Sequence, residues 1–261
     1  MMKISKESVA SNFNNIIVET NFVTSLYNPE DSHRVTFEKI IKIAKKLYVP
    51  IIAYKESAKS FTTKLSIIHT YLIEYYLNLD FKKDNSEIYG EEEKLLENLN
   101  SLFGHNANFN RYLINVARNI RLKCFNNMEF ILELNNHILK IGNIGVFRKN
   151  IDSRILSINQ NLELGEVPLP KLKKRSSETR YNSVKRVIDL LDYDKPDKKL
   201  FMHVMYHYPD LYECPVSFIS SDQDFMRKSN SSLNELNAQN GLDISQMQMI
   251  YVYDYFDKPA N

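Results

Sequence analysis

Five acidic residues stand where side chains of an α/β protein commonly do chemistry, and they are Glu19, Glu56, Asp197, Asp222 and Asp224. Carboxylates that cluster repel one another, so they ionise together only at a cost unless a cation is present. Carboxylate oxygens suit Mg²⁺ or Mn²⁺. Such ions activate water and neutralise the charge that develops during phosphodiester cleavage. A shared metal site is therefore predicted, provided that the fold brings the five acids together.

Three apolar runs are predicted to be strands, and they precede Glu19, Glu56 and the pair Asp222 and Asp224. The runs are short and rich in β-branched residues, which is typical of buried strands. With a last strand near the C-terminus, the predicted strands are residues 16–18, 49–54, 216–220 and 250–253. Asp197 follows Pro196, and this pair is a helix start signal.

Helical patterns fill the sequence between the predicted strands, over residues 32–48, most of 57–150, 182–191 and the segment after Pro196. Gly165, Pro168 and Pro170 predict a break in regular structure. Strands that alternate with helices indicate an α/β fold with a mostly parallel sheet. The carboxyl ends of such strands open into one crevice, where the acids are expected to converge.

Composition limits the function classes only broadly. The chain has 261 residues and a formal net charge of +2, so any nucleic-acid surface must come from local clustering of basic residues. Cys124 and Cys214 are far apart and in no metal-like spacing, which fits a reducing cytoplasm. No secretory signal or membrane span is predicted.

Four segments resemble those of PIN-domain proteins, in the same order. They are Ile-Ile-Val-Glu-Thr-Asn-Phe-Val at 16–23, Val-Pro-Ile-Ile-Ala-Tyr-Lys-Glu-Ser at 49–57, Lys-Pro-Asp-Lys-Lys-Leu-Phe at 195–201 and Phe-Ile-Ser-Ser-Asp-Gln-Asp-Phe at 218–225. The resemblance implies a three-layer α/β/α fold with a central, mostly parallel sheet. It further implies a single domain over residues 1–261, with a large helical insertion over 65–165.

The resembled family consists largely of metal-dependent ribonucleases, including the toxins of toxin–antitoxin pairs. The resemblance therefore implies cleavage of RNA, most simply single-stranded, with Mg²⁺ or Mn²⁺. It implies that Glu19, Glu56, Asp197 and Asp222 are metal ligands. Asp224 would be a further ligand or a water-positioning acid, and the supporting residues would be Thr20, Asn21 and Ser221.

Alternatives stay open on three points, which are catalysis, the kind of nucleic acid and the role of the helical middle. The first acid of the family is usually Asp, so Glu19 is compatible with an adjusted active site or with a weak or inactive RNA-binding or assembly module. A structure-specific DNA nuclease is a further alternative. The helical middle is expected to cover the site, to form a homodimer or to bind a partner such as an antitoxin.

Other residues have both a functional and a structural interpretation. The basic run formed by Lys171, Lys173, Lys174 and Arg175 is predicted to follow an RNA backbone or to be a solvated loop. Asp222 and Asp197 would also serve as a helix cap and as a favourable charge at a helix start. His203 and His207 have a spacing that zinc sites use, but a partly buried helical pair is favoured.

Overall fold

The computed structural model describes residues 12–77, 93–94, 96–101, 107–169, 175–189, 195–208, 210–240 and 244–259. The chain divides into two compact units. The first takes its described residues from Met1–Tyr27, Ser32–Glu56 and Ile151–Asn261, and the second from Asn28–Asp31 and Ser57–Asn150. The second unit overlaps the helical insertion predicted over 65–165, although it begins and ends earlier in the chain.

The sheet of the first unit consists of β1 (Asn15–Val18), β2 (Lys46–Pro50), β3 (Glu163–Val167), β4 (Val216–Ser220) and β5 (Met247–Tyr251). The strand order is β3-β2-β1-β4-β5, and every neighbouring pair is parallel. From β1 the chain moves outward to β2 and β3 and then returns to the other side of β1. The order thus reverses between β1 and β4, and the predicted α/β class is confirmed.

The helices are α1 (Thr20–Tyr27), α2 (Arg34–Ile43), α3 (Ile51–Leu77), α4 (Ala107–Arg121), α5 (Asn127–Gly142), α6 (Ile144–Ile158), α7 (Arg175–Asp189), α8 (Lys195–His207) and α9 (Gln223–Asn240). Both faces of the sheet are covered by apolar contacts. Ile17 joins a core with Leu200 of α8 and Phe225 of α9. Ile16 and Val18 alternate to the opposite face and are also fully buried. This is the three-layer α/β/α arrangement.

The second unit is helical over most of its described residues, as predicted for 57–150. Aromatic packing holds its helices together, with the Phe61 ring 4.7 Å from Phe109 and 6.1 Å from Phe147 between centroids. None of the helices in the described part of the chain is long and apolar enough to cross a membrane.

The strand predicted at 49–54 is wrong in position, because β2 ends at Pro50 and α3 begins at Ile51. A proline lacks the N–H that a first helical turn leaves unused, so it suits the residue before a helix as well as a strand. The β-branched Ile51 and Ile52 favour a strand by propensity, but they form the start of α3, where Ile52 packs against the core. Glu56 consequently lies in the second turn of a helix.

Other boundaries also shift. The helix predicted over 32–48 ends at Ile43, and the last strand runs over Met247–Tyr251 rather than 250–253. The break predicted at Gly165 is wrong, because Gly165 lies inside β3 and pairs with Tyr48 of β2. A Cβ on Gly165 would lie 2.3 Å from Cδ1 of Tyr48. Glycine is therefore required where the Tyr48 ring crosses the edge strand.

Replacing Gly165 by Ala should lower the free energy of unfolding by roughly 1–3 kcal/mol through overpacking. The Tyr48 ring has little freedom to move away, because it lies 5.0 Å from the Tyr212 ring and its hydroxyl accepts the N–H of Glu213 at 2.9 Å. Denaturant unfolding measures the loss. The matched control is Gly142→Ala, where the nearest atom to the new Cβ lies at an ordinary 3.6 Å. Equal stability of the two variants would contradict the expectation.

Candidate active site

Two of the predicted acids, Glu19 and Asp222, lie near the carboxyl ends of β1 and β4. Glu19 directly follows β1, and Asp222 lies two residues beyond the last residue of β4. These strands are neighbours, and the strand order reverses between them. In open α/β sheets, ligands bind in the crevice at this reversal. The topology therefore makes this edge the place to look for a site.

Glu19 bridges the reversal point through its carboxylate. Its Oε1 accepts the Ser220 hydroxyl at 2.9 Å and the Ser221 N–H at 3.4 Å, and its Oε2 accepts the Asn21 N–H at 3.1 Å. The side chain is buried, with 5% of the residue exposed. A side chain from the end of β1 is thus fixed to the end of β4 and to the start of α1.

Burial raises the pKa of Glu19 to about 7. The hydrogen bonds from Asn21, Ser220 and Ser221 oppose this rise, and the negative charge of Asp197 adds to it. The ionised form of Glu19 is therefore poorly stabilised despite three donors. An added cation would stabilise that form.

Glu56 lies beside the same strand end. Its Oε2 accepts the Thr20 hydroxyl at 2.8 Å, so the first two residues of α1, Thr20 and Asn21, hold two different acids. Burial raises the pKa of Glu56, while the hydrogen bond from Thr20 and the charge of Lys199 lower it. Thr20 and Asn21, predicted as supporting residues, thus each contact one of the acids.

Asp222 caps the helix that follows β4. Its Oδ1 accepts the N–H of Phe225 at 2.9 Å, and its own N–H donates to Ser220 Oγ at 2.9 Å. The capping interpretation is therefore confirmed. A carboxylate has a second oxygen, so capping and a ligand role remain compatible. Ser220 links Asp222 to Glu19 in one hydrogen-bonded chain.

Asp224 has a different environment from the other acids. Its carboxylate pairs with Arg227 at 2.7 Å and with Lys228 at 2.8 Å, one turn along α9. Hydrogen bonds from Lys228 and Arg227 lower the pKa of Asp224. The charge of Asp224 is thus balanced within its own helix, whereas burial leaves Glu19 and Glu56 poorly compensated.

Asp197 lies in the first turn of α8, as its position after Pro196 predicts. Three residues of the basic run, Lys171, Lys173 and Lys174, lie outside the described residues. Arg175 is the first residue of α7. The interpretation of this run as an RNA path stays a prediction.

The two histidines of α8 contact the last residue of β3 and the residue that follows it. His203 Nε2 lies 3.3 Å from the Val167 carbonyl oxygen, and His207 Nε2 lies 2.7 Å from that of Pro168. The rings are 5.2 Å apart. These contacts are those of the partly buried helical pair favoured by the sequence.

Two further residues near the acids carry no distinguishing signal in the sequence. Ser220 is fully buried and bonds both Glu19 and Asp222, yet it is only one of two consecutive serines. Lys199 affects the pKa of Glu56, but it stands in a run with other lysines. Only the fold singles them out.

The site's donors fit a hard divalent cation in type, because they are carboxylates whose ionisation burial disfavours. Within the described ranges, no group of three or more His, Cys, Asp or Glu side chains is already placed to hold a metal ion. The acids would therefore have to reorient to share one.

Comparison with protein-family models, with curated proteins and with solved structures found no match.

Proposed function

We propose that this protein is a divalent-metal-dependent ribonuclease whose site lies at the reversal point between β1 and β4. The observation that carries the proposal is the buried Glu19, whose pKa is raised to about 7 where ligands bind in such sheets. A group with this perturbation, beside a second acid of raised pKa, is typical of functional sites. The order of the four segments that resemble PIN-domain proteins supports the choice of RNA.

Glu19, Glu56, Asp197 and Asp222 would hold Mg²⁺ or Mn²⁺ in this proposal. When bound, such an ion supplies Lewis-acid chemistry for hydrolysis of a phosphodiester. Thr20 positions Glu56, while the backbone N–H groups of Asn21 and Ser221 position Glu19.

Basic side chains at two places beside the acids would contact the phosphates of the substrate. Lys199 brings a positive charge beside Glu56, which suits contact with a phosphate. Asp224 positions Arg227 and Lys228 at the start of α9, one turn beyond Asp222. The same proposal includes a cytoplasmic location and an antitoxin as a protein partner, both of which the resemblance to PIN-domain proteins implies.

A second candidate is an RNA-binding or assembly module without catalysis. The observation that favours it is that both oxygens of Glu19 already accept hydrogen bonds from protein groups. In that case, Glu19 would fasten β1 to β4 and start α1, with no metal needed. Titration calorimetry with Mn²⁺ separates the candidates, because only the nuclease should give heat that is lost in Glu56→Gln and Asp197→Asn.

Cleavage of single-stranded RNA in Mn²⁺ should fall at least about 10²-fold in Asp222→Asn. Asn is as good a helix cap as Asp, so the variant should keep its fold and lose only the charge. A panel of single-stranded RNA, single-stranded DNA and flap substrates, read on gels, measures rate and specificity together.

The matched control is Asp257→Asn, which changes an exposed acid outside the cluster and should leave the rate unchanged. Cutting by Asp222→Asn at the rate of the unaltered protein would overturn the proposal. Faster cutting of the flap substrate than of RNA would change the assignment from a ribonuclease to a structure-specific DNA nuclease.

A further inference from the structure

Helix α5 of the second unit has two apolar faces, and only one of them is buried. Phe130, Leu134 and Ile141 face the interior of the unit. On the opposite side lies a stripe that we call the α5 face, formed with the preceding turn by Leu122, Phe125, Met128, Leu132 and Leu139. These side chains are between 55% and 93% exposed. An exposed apolar stripe of this length marks an interaction surface.

The α5 face is large enough for a specific interface at the lower end of the usual size range. Its side chains expose on the order of 650 Å² in each copy, so that full burial of both faces would remove about 1,300 Å² from solvent. Met128, Leu132, Asn135 and Leu139 recur at spacings of four, three and four residues. This is the seam spacing by which two helices pack side by side.

The charges beside the face favour one orientation of the partner. Glu129, Glu133 and Lys140 lie on the same flank, with the acids toward the start of the helix and the base toward its end. A second copy packed antiparallel around a two-fold axis presents the same flank with its charges reversed in order. A parallel copy would not place Lys140 beside the acids. The flank is therefore complementary to its own antiparallel copy.

We propose that the α5 face binds the α5 face of a second copy of this chain, antiparallel, with the two-fold axis between Asn135 and Asn136. Leu132 then lies opposite Leu139 of the second copy, since both are equally far from the axis. Lys140 of the second copy comes level with residue 131, midway between Glu129 and Glu133. Asn135 meets the axis, where a polar residue in an apolar seam fixes register and orientation.

Sedimentation velocity over about 1–100 μM protein should show a dimer, because interfaces of this size associate at micromolar concentration or below. Leu132→Glu should weaken association about 100-fold or more, since it places an unpaired charge in both halves of the seam. Because Leu132 is exposed, the substitution should leave the melting temperature of the monomer unchanged.

The matched control is Val35→Glu, which changes an exposed apolar residue of the other unit. It should leave the dimer intact. A monomer at 100 μM, or equal dimerisation by Leu132→Glu, would overturn the proposal and leave the face to a different partner.

Charge reversal tests the orientation separately. Glu133→Lys alone and Lys140→Glu alone should each weaken self-association, because each places like charges side by side twice in its own dimer. A mixture of the two variants should form a heterodimer in which both contacts are opposite in charge. Failure of the mixture to associate more strongly than either variant alone would rule out the antiparallel arrangement.

Discussion

Replacing Glu19 by Gln should remove most Mn²⁺-dependent cleavage of single-stranded RNA while the protein stays folded. The expected fall in rate is about 10²–10³-fold, because a lost carboxylate ligand removes several kcal/mol of charge stabilisation. Initial rates of cutting of a labelled RNA at saturating Mn²⁺ measure the effect. Circular dichroism at the same pH checks the fold.

The fold should survive because Gln can keep two of the three contacts. Its amide oxygen, in the place of Oε1, can accept both the Ser220 hydroxyl and the Ser221 N–H as the carboxylate does. The contact from the Asn21 N–H is the one lost, because an NH₂ group in the place of Oε2 cannot accept it. Reduced cutting would then reflect the missing charge rather than unfolding.

Glu19→Asp tests the length of the side chain while keeping its charge. The shorter side chain draws the carboxylate back from Ser220 of the neighbouring strand, so we expect a rate between those of Glu and Gln. Glu38→Gln, which changes a half-buried acid paired with Arg34, should leave the rate unaffected. A Gln variant as fast as the unaltered protein would contradict the assignment of Glu19.

The elements next to the acids were largely predictable because their signals are local. The run at 16–18 and that at 216–220 are apolar and β-branched, and they form β1 and β4. Asp197 lies in the first turn of a helix, as the start signal of Pro196 predicts. Strand β3 escapes prediction because its central residue is Gly165, whose place depends on the ring of Tyr48 more than a hundred residues earlier.

The proximity of Glu19 and Asp222 was predictable, but their contacts were not. Parallel strand ends meet at one edge, which explains why Glu19 and Asp222 come near each other. That Ser220 would bond Glu19, or that Asp224 would pair with Arg227, depends on side-chain geometry that a single sequence does not encode locally. The helical position of Glu56 was missed because the strand propensity of Ile51 and Ile52 hides the start of α3.

Without divalent metal, Glu19 and His203 should impose opposite pH dependences on stability. Burial raises the pKa of Glu19 from 4.5 to about 7, and the charge of Asp197 acts in the same direction. Between these values the folded state holds more protons than the unfolded state, so the free energy of unfolding falls as pH rises. The stability contributed by protonated Glu19 is present below pH 4.5 and lost above about pH 7.

For His203, burial lowers the pKa from 6.5 to about 4; the hydrogen bond to Val167 opposes this, and the charges of His207 and Lys55 reinforce it. Between these values the unfolded state holds more protons, so the free energy of unfolding rises with pH. This contribution is complete above pH 6.5 and is lost as pH falls toward 4. The two dependences overlap and partly cancel in the unaltered protein, so single variants are needed to separate them.

Denaturant unfolding in EDTA from pH 4 to pH 8 measures the free energy of unfolding of each variant relative to the unaltered protein. As pH rises, this difference should move in opposite directions for the Glu19 and His203 variants. Relative to the unaltered protein, Glu19→Gln should gain roughly 3 kcal/mol as pH rises from 4.5 to 7, because it removes the penalty of ionising a buried carboxyl. His203→Gln, which retains a donor for Val167, should lose a similar amount as pH rises from 4 to 6.5.

Mn²⁺ should stabilise the unaltered protein more at pH 8 than at pH 5 and should have little effect on Glu19→Gln. A difference between Glu19→Gln and the unaltered protein that does not vary with pH would mean that Glu19 is not held near neutrality by burial, and the strongest reason for placing a cation beside it would be gone.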